Sequence, residues 1–350
     1  MKKVSLFAVF AAAAAFITAI ILMPDAASGG AAKGLTICGE VIIPSLFPLT
    51  VMAGFLLLSG AADALSPLIG RLFGRLLRLP DKACVCIILS FISGYPVGGT
   101  MVRRLYDSGD IGRDAAERML AYSVNAGPAM IILVVGKGLF GSTRGGALLY
   151  AVHIAASLII GAALALFEPM PAVRTRRQNV NIGMADAFVT SVCDACTAML
   201  NICGTVVLFS CISAIATELI GSRACYFTAA LEVTNGCIAL APLGMPIVSA
   251  LLGFGGLSVI CQVLTVTRGL ISLPRMLICR ICHGALSFLL CSAAMPLLRE
   301  SVSAVSTGTA ASSYAWSFSP QASCAMMLFG GVTLFYCTFR RKGFTLRSEI

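Results

Sequence analysis

Glu232 sits in an apolar stretch running from Ala224 to Leu243, two residues before Thr234-Asn235-Gly236. A carboxylate in hydrocarbon costs about 2.5 kcal/mol or more on insertion scales, so it faces a cavity, a partner or a proton. Beside it, Thr234, Asn235 and a chain reversal at Gly236 supply polar side chains and unpaired backbone groups. The chemistry such a constellation can do is non-covalent: ligand contact, or coupling to a proton or sodium ion. The structural alternative is a carboxylate accepting from backbone N–H groups at a helix N-terminus. A second stretch, Ser93-Gly94-Tyr95-Pro96-Val97-Gly98-Gly99, has the same potential. Gly permits close backbone approach and Pro ends a helix, so half-helix N-termini there can present free N–H donors to an anion. An ordinary kinked membrane helix has similar composition.

Other polar residues lie at apparent mid-span. Asn125 and Gly127-Pro128 mark a break in one helix and Asn201 sits inside another; buried amides of this kind either join helices or touch substrate. Glu40 and Asp194 are embedded carboxylates that also fit wetted helix ends. His153 reads as hydrogen-bonded packing, and Arg280, near the start of its helix, is expected to snorkel to the interface. Cys193/Cys196 and Cys279/Cys282 have metal-like spacing but fall within apolar helices, where thiols act as small hydrophobes. The chain has no P-loop, no HExxH and no paired catalytic aspartates in a GxGD setting, so no enzyme activity and no cofactor are expected.

The elements that must position these residues follow from composition. Hydrophobic residues make up 58% of the 350 and charged residues 11%, with mean hydropathy +0.95, against about 25% charged in ordinary soluble domains. The expected class is an all-α polytopic membrane protein with about eight transmembrane helices plus two re-entrant helical hairpins. The net charge of +10 does not imply nucleic acid, because Lys and Arg sit in short loops beside apolar spans and set orientation against anionic lipid. Spans are expected at residues 4–23, 35–58, 119–135, 145–167, 187–217, 245–266, 276–298 and 322–338. All of the 25 Lys and Arg except Lys33, Lys137, Arg144, Arg223 and Arg299 then fall on one side. This works only if residues 83–101 and 224–243 enter and leave by the same face, from opposite sides. Both termini are expected to be cytoplasmic, with the first apolar segment retained rather than cleaved as a signal.

The halves superpose as a weak internal repeat. Glu40 matches Asp194, and Asn125-Ala126-Gly127-Pro128-Ala129 matches Phe254-Gly255-Gly256-Leu257-Ser258. The expected organisation is an N-terminal helix and outer loop (1–33), a first repeat (34–168), a basic inner loop (169–185), an inverted second repeat (186–272), and C-terminal helices with a basic tail (273–350). Inverted repeats with broken segments near mid-membrane are the architecture of secondary transporters.

Four blocks carry a family resemblance: Gly39-Glu40-Val41-Ile42-Ile43-Pro44-Ser45-Leu46-Phe47-Pro48; Ser90 to Gly99; Glu232-Val233-Thr234-Asn235-Gly236; and Gly253 to Val259 with Gln262-Val263. Their order and spacing resemble the YlbJ family of sporulation integral membrane proteins, which carry two nucleoside-recognition Gate domains. The resemblance implies movement of dipicolinic acid across the outer forespore membrane of a spore-forming bacterium. Its Gate repeats are similar to the hairpin-plus-helix units of concentrative nucleoside transporters. Asn125-Ala126-Gly127-Pro128 follows the family pattern only loosely. The substrate contacts this reading assigns are Ser93, Gly94, Tyr95, Pro96, Asn125, Asn201, Glu232, Thr234, Asn235, Gly236, Phe254 and Gly255, with Tyr95 and Phe254 forming a polarizable wall. Beside a dianion Glu232 must be protonated or bound to a coupling cation. A proton- or sodium-coupled nucleoside or metabolite carrier, and a non-transporting spore-envelope protein that can oligomerise, are the alternatives.

Overall fold

The computed structural model describes residues 2–168 and 183–299, and the regular elements among them are all helical. After α1 (Lys2–Leu22) comes a long helix α2 (Pro24–Leu58), which widens to a π-turn at Cys38–Ile42 immediately before Pro44. Proline lacks an N–H and clashes with the preceding turn, and a π-turn is one way a helix absorbs that mismatch. α3 (Ala61–Leu77) follows, then α4 (Asp81–Ser93) and α5 (Val97–Asp107), then α6 (Arg113–Ser123), α7 (Ala129–Leu139), which is wound as a π-helix, and α8 (Thr143–Phe167). The second half contains α9 (Met184–Ile220), α10 (Ala224–Leu231), α11 (Val233–Leu240), α12 (Met245–Phe254), α13 (Gly256–Thr267), α14 (Leu273–Ala294) and the short α15 (Pro296–Arg299).

Apart from α3, which only the first half has, the two halves share an order of elements: a long leading helix, two short helices folded back on each other, a helix broken in the middle, and a further long helix. The fold-back shows in contacts no continuous helix could make. A Cβ added at Gly98 of α5 would stand 2.9 Å from Ser90 Cβ of α4, and one at Gly236 of α11 would stand 2.6 Å from Ala229 Cα of α10. The broken helices do not fold back. α6 and α7 pack in one antiparallel line along α8, through Arg118 to Glu168, Asn125 to Ser157 and Ala126 to His153.

The leading helices run antiparallel. Gly30 faces Ala214, Gly34 faces Val207, and Gly54 faces Ser191, with added Cβ atoms 2.7, 2.8 and 3.3 Å from their neighbours. Small residues four apart let the two backbones approach closely, as packing between membrane helices requires. α8 and α14 are antiparallel too, since His283 reaches His153 while Arg275 reaches Glu168. By order, α14 follows the second broken helix as α8 follows the first.

Five helices among the described residues are long and apolar enough to cross a membrane: Pro24–Leu58, Thr143–Phe167, Met184–Ile220, Met245–Thr267 and Leu273–Ala294. Three of the eight expected spans lie outside that set for separate reasons. The 4–23 segment is helical in α1, and the part of it whose side chains are described, Phe10–Leu22, is apolar. The 119–135 segment is divided between α6 and α7 by its break. The 322–338 segment lies outside the described residues, as does most of the basic loop 169–185. The stretch after α2, read as a basic loop, contains helix α3, whose Leu65, Leu68, Leu72 and Leu76 form an exposed apolar stripe alongside Arg71 and Arg75.

The loops assigned to one side of the membrane by charge are joined to one another. Lys82 pairs with Asp110, Arg103 donates to Thr267 O, Arg113 to Gly269 O, and Arg275 pairs with Glu168. Arg118, fully buried, donates to the carbonyls of Leu77, Arg78 and Glu168. One end of the bundle therefore gathers the basic residues, and a buried arginine ties α3, α6 and α8 together there.

Candidate substrate site

Four interruptions in helical structure meet inside the bundle. The first hairpin turns at Gly94-Tyr95-Pro96, with Gly94 at φ +80° and a cis Tyr95–Pro96 bond. The first broken helix is interrupted at residues 124–128. A Cβ at Gly94 would lie 3.0 Å from Gly127 N, and one at Gly127 would lie 3.2 Å from Ile92 O, so the tip rests directly on the break. The second half repeats this contact with other residues. Its hairpin reverses at Glu232, and its broken helix is interrupted at Gly255, which has φ +83°. A Cβ at Gly256 would stand 3.1 Å from Leu231 O and 3.3 Å from Glu232 N.

The two assemblies touch through Tyr95. Its hydroxyl donates to Leu252 O at 2.8 Å, one turn before the second break, and lies 3.7 Å from where Gly255 would carry a Cβ. Phe254 is half-buried at the same place, against Gly284 of α14. Gly94, Tyr95, Pro96, Asn125, Glu232, Phe254 and Gly255 are therefore brought into one region.

Several expected contacts have other partners. Ser93 Oγ donates to Leu89 O of its own helix. Glu232 is buried, and its two carboxylate oxygens accept from Thr234 N (2.9 Å) and Asn235 N (2.7 Å). It is the N-cap of α11, which is the structural alternative raised for it, and it uses the N–H groups a ligand would need. Asn235 Nδ2 donates to Ser210 Oγ of α9, and Gly236 packs against Ala229 and Leu251. Thr234, Asn235 and Gly236 thus seat the second hairpin. The other three helices that start at interruptions, α5, α7 and α13, have no side-chain cap.

Asn201 stands apart. It lines an open cavity of about 850 Å³ at the basic end of the bundle, with Lys82, Arg103, Arg104, Asp194 and Arg268. Its backbone carbonyl accepts from Thr205 Oγ1, and that hydroxyl also accepts from Gln262 Nε2 at 2.6 Å. Arg104 of α5 pairs with Asp194 of α9. The pair lies where the cavity continues into a narrow recess bounded by Thr50, Val97 and Ser191, and Val97 is the residue after Pro96.

Arg280 and the two histidines were not among the sequence candidates. Arg280 is fully buried rather than snorkelling, because it lies seven residues beyond the start of α14, roughly 10 Å along the axis. Its guanidinium donates to Val124 O and, at 3.4 Å, to Ala121 O, the carbonyls that end α6 at the first break. A cation there is favoured by the helix dipole. His153 and His283 stack with ring centroids 4.5 Å apart. His153 Nε2 accepts from Ala126 N at 3.2 Å, and His283 Nε2 lies 3.0 Å from His153 O. Asn125 Nδ2 donates to Tyr122 O and Ser157 Oγ. Around this first break Asn125 Oδ1, His153 Nδ1, His283 Nδ1, Arg280 Nε and Ser123 Oγ are buried without a partner among the described residues. An unsatisfied buried polar group costs about 1–3 kcal/mol, so a cluster of them marks a place where a ligand can supply what the protein does not.

No family model matches the chain and no solved structure does. The chain is similar to the sporulation integral membrane protein YlbJ of Bacillus subtilis (strain 168), 29% identical over 147 residues. The match covers 42% of this chain and 36% of that protein, about a third of the relative's own length. This homologue supports the family resemblance carried by the four sequence blocks.

Proposed function

We propose that this relative of the YlbJ family is a secondary transporter of a sporulating cell, moving dipicolinate across the outer forespore membrane. The observation that carries the reading is the paired geometry of the interruptions: each hairpin tip rests on the break of the helix that follows it, and Tyr95 joins the two pairs. We read α4/α5 and α10/α11 as re-entrant hairpins from opposite faces, in keeping with the antiparallel leading and closing helices. Irregular backbone at membrane depth is tolerated where protein or a water-filled cavity surrounds it, and in transporters it is the binding site. The buried interruptions of this chain meet that condition.

Dipicolinate is a planar aromatic dianion. The uncapped N-termini of α5 and α13 offer N–H donors of the right polarity, and Tyr95 and Phe254 offer a wall for the ring. Access runs from the open cavity at the basic end, which the charge pattern assigns to the cytoplasm. The Arg104–Asp194 pair crosses the throat between that cavity and the first hairpin. Opening requires it to separate, and the surrounding basic residues draw the anion in. Glu232 holds α11 in place, which removes the need to set its charge directly against the substrate.

A second reading, a carrier of nucleosides or other neutral metabolites, is favoured by the free acceptors Asn125 Oδ1 and Asn235 Oδ1, which suit hydroxyl or amide donors better than carboxylates. Uptake of labelled dipicolinate into liposomes containing only this protein, with nucleosides as competitors, separates the readings. Saturable uptake insensitive to nucleosides supports dipicolinate; uptake of nucleosides instead supports the second reading. If neither solute enters saturably under proton or sodium gradients, both fail and a non-transporting envelope role remains.

A further inference from the structure

We propose that the first break holds a buried carboxylate-binding subsite formed by Arg280 Nε, His153 Nδ1 and the hydroxyl of Ser123. The proposal rests on the transport reading for the identity of the ligand, but on its own geometry for the place.

Three observations converge. First, Arg280 is fully buried, and none of the ion pairs among the described residues includes it. Its terminal nitrogens face the carbonyls of Val124 and Ala121, while Nε is unpartnered. Carbonyl dipoles orient the guanidinium but leave its formal charge uncompensated, and a buried cation calls for an anion.

Second, the hydrogen bonds fix the histidine tautomers. Ala126 N donates to His153 Nε2, so in the neutral ring the proton of His153 is on Nδ1, a donor with no acceptor. His283 Nε2 faces a carbonyl that can only accept, so it is the protonated nitrogen of that ring. Ser123, fully buried, adds a hydroxyl able to donate. A carboxylate has two oxygens and about four lone-pair sites, which match this set of donors.

Third, the cluster adjoins the moving part of the proposed carrier. Arg280 and His153 both engage residues 121–126, and Gly127, the next residue, is in contact with Gly94 at the first hairpin tip. On α14 the same face carries His283 and Gly284, which pack against Gly253, one residue from the carbonyl that accepts from Tyr95.

The test uses the purified full chain in detergent, titrated at matched ionic strength with pyridine-2,6-dicarboxylate, with its neutral diamide, and with chloride. Melting temperature and amide hydrogen exchange are followed together. The dicarboxylate is expected to raise Tm and, at about ten times its Kd, to slow exchange about tenfold in residues 121–128 and 276–287. The diamide and chloride are expected to do neither. Arg280→Gln is expected to abolish the Tm shift, and Arg280→Lys to retain part of it.

An equal response to diamide or chloride, protection confined to other segments such as 232–236, or a folded Arg280→Gln that keeps the full shift overturns the proposal. If Arg280→Gln does not fold, the exchange pattern of the unaltered chain decides alone. Failures of the two readings are distinguishable. Dicarboxylate protection at the first break without liposome uptake removes the transport reading and leaves the subsite. Uptake without that protection removes the subsite and leaves transport.

Discussion

The two hairpin tips occupy equivalent places in their halves but resolve their polar groups in opposite ways. At the second tip, Glu232 accepts from the N–H groups of Thr234 and Asn235, and Asn235 is tied to Ser210. That tip supplies its own anion at a helix N-terminus. At the first tip, a glycine and a proline turn the chain without a charged group, and the nearby charge is Arg280, set on the carbonyl end of α6. Several polar atoms around that break lack partners, whereas Asn235 Oδ1 is the unpartnered side-chain atom on the second hairpin. The comparison teaches that the second hairpin supplies its own cap, with Asn235 Oδ1 and Ser258 Oγ left over beside it, whereas the first break carries the larger set of unpartnered groups and a buried arginine; on the proposed reading the second tip is the anchor and the first break receives the ligand's charge.

The comparison can be broken most severely at its glycines. Gly94→Leu and Gly256→Leu each force a side chain into left-handed backbone and into a neighbouring chain 3.0–3.1 Å away. Each is expected to destabilise the fold by about 2–5 kcal/mol and to abolish uptake, read by chemical unfolding and by liposome assay. Next, Glu232→Ala removes the cap of α11, at about 1–2 kcal/mol. If the second tip is an anchor, this lowers uptake of charged and neutral ligands in the same proportion; a selective loss of one would restore Glu232 to direct ligand contact. Tyr95→Phe leaves Leu252 O without its donor, at about 1 kcal/mol, and loosens the contact between the two assemblies. It is expected to lower Tm slightly and to raise the rate of tip opening seen by hydrogen exchange in residues 90–99. Smallest, Arg104→Gln breaks a partly exposed pair with Asp194, worth no more than about 1 kcal/mol after solvent screening. Its stability change is minor, and charge reversal at both positions recovers the uptake that the single change loses.

Much of this arrangement was legible in the sequence, because helix interruptions have a residue signature. Gly94, Pro96, Gly127-Pro128 and Gly255-Gly256 mark their breaks directly, and the asymmetry of Lys and Arg singled out 83–101 and 224–243, the two segments that are each divided into a pair of short helices. What the sequence could not show was azimuth and depth. Asn201 was placed mid-helix, yet it faces the open cavity rather than the tips. Arg118 was read as a loop cation setting orientation, but it is buried against three carbonyls, an outcome that depends on where α3 and α8 end. Arg280 was read as an interfacial residue because its helix was given too late a start; Pro274 at the first turn places it two turns deep. Its spacing of three residues to His283 puts both on one helix face and was the available signal. α3 was similarly readable, since Leu65, Leu68, Leu72 and Leu76 recur at helical spacing within a stretch that its arginines made look like a loop.

The asymmetry between the two breaks is tested most directly by initial uptake of labelled dipicolinate across a concentration series, in liposomes carrying the unaltered chain, Arg280→Gln or Glu232→Gln. The expected result is a rise in KM of about tenfold or more for Arg280→Gln, equivalent to about 1.4 kcal/mol of lost substrate binding, while Glu232→Gln chiefly lowers the maximal rate. A KM that rises for Glu232→Gln and stays put for a folded Arg280→Gln would place the substrate's charge at the second hairpin and contradict the account.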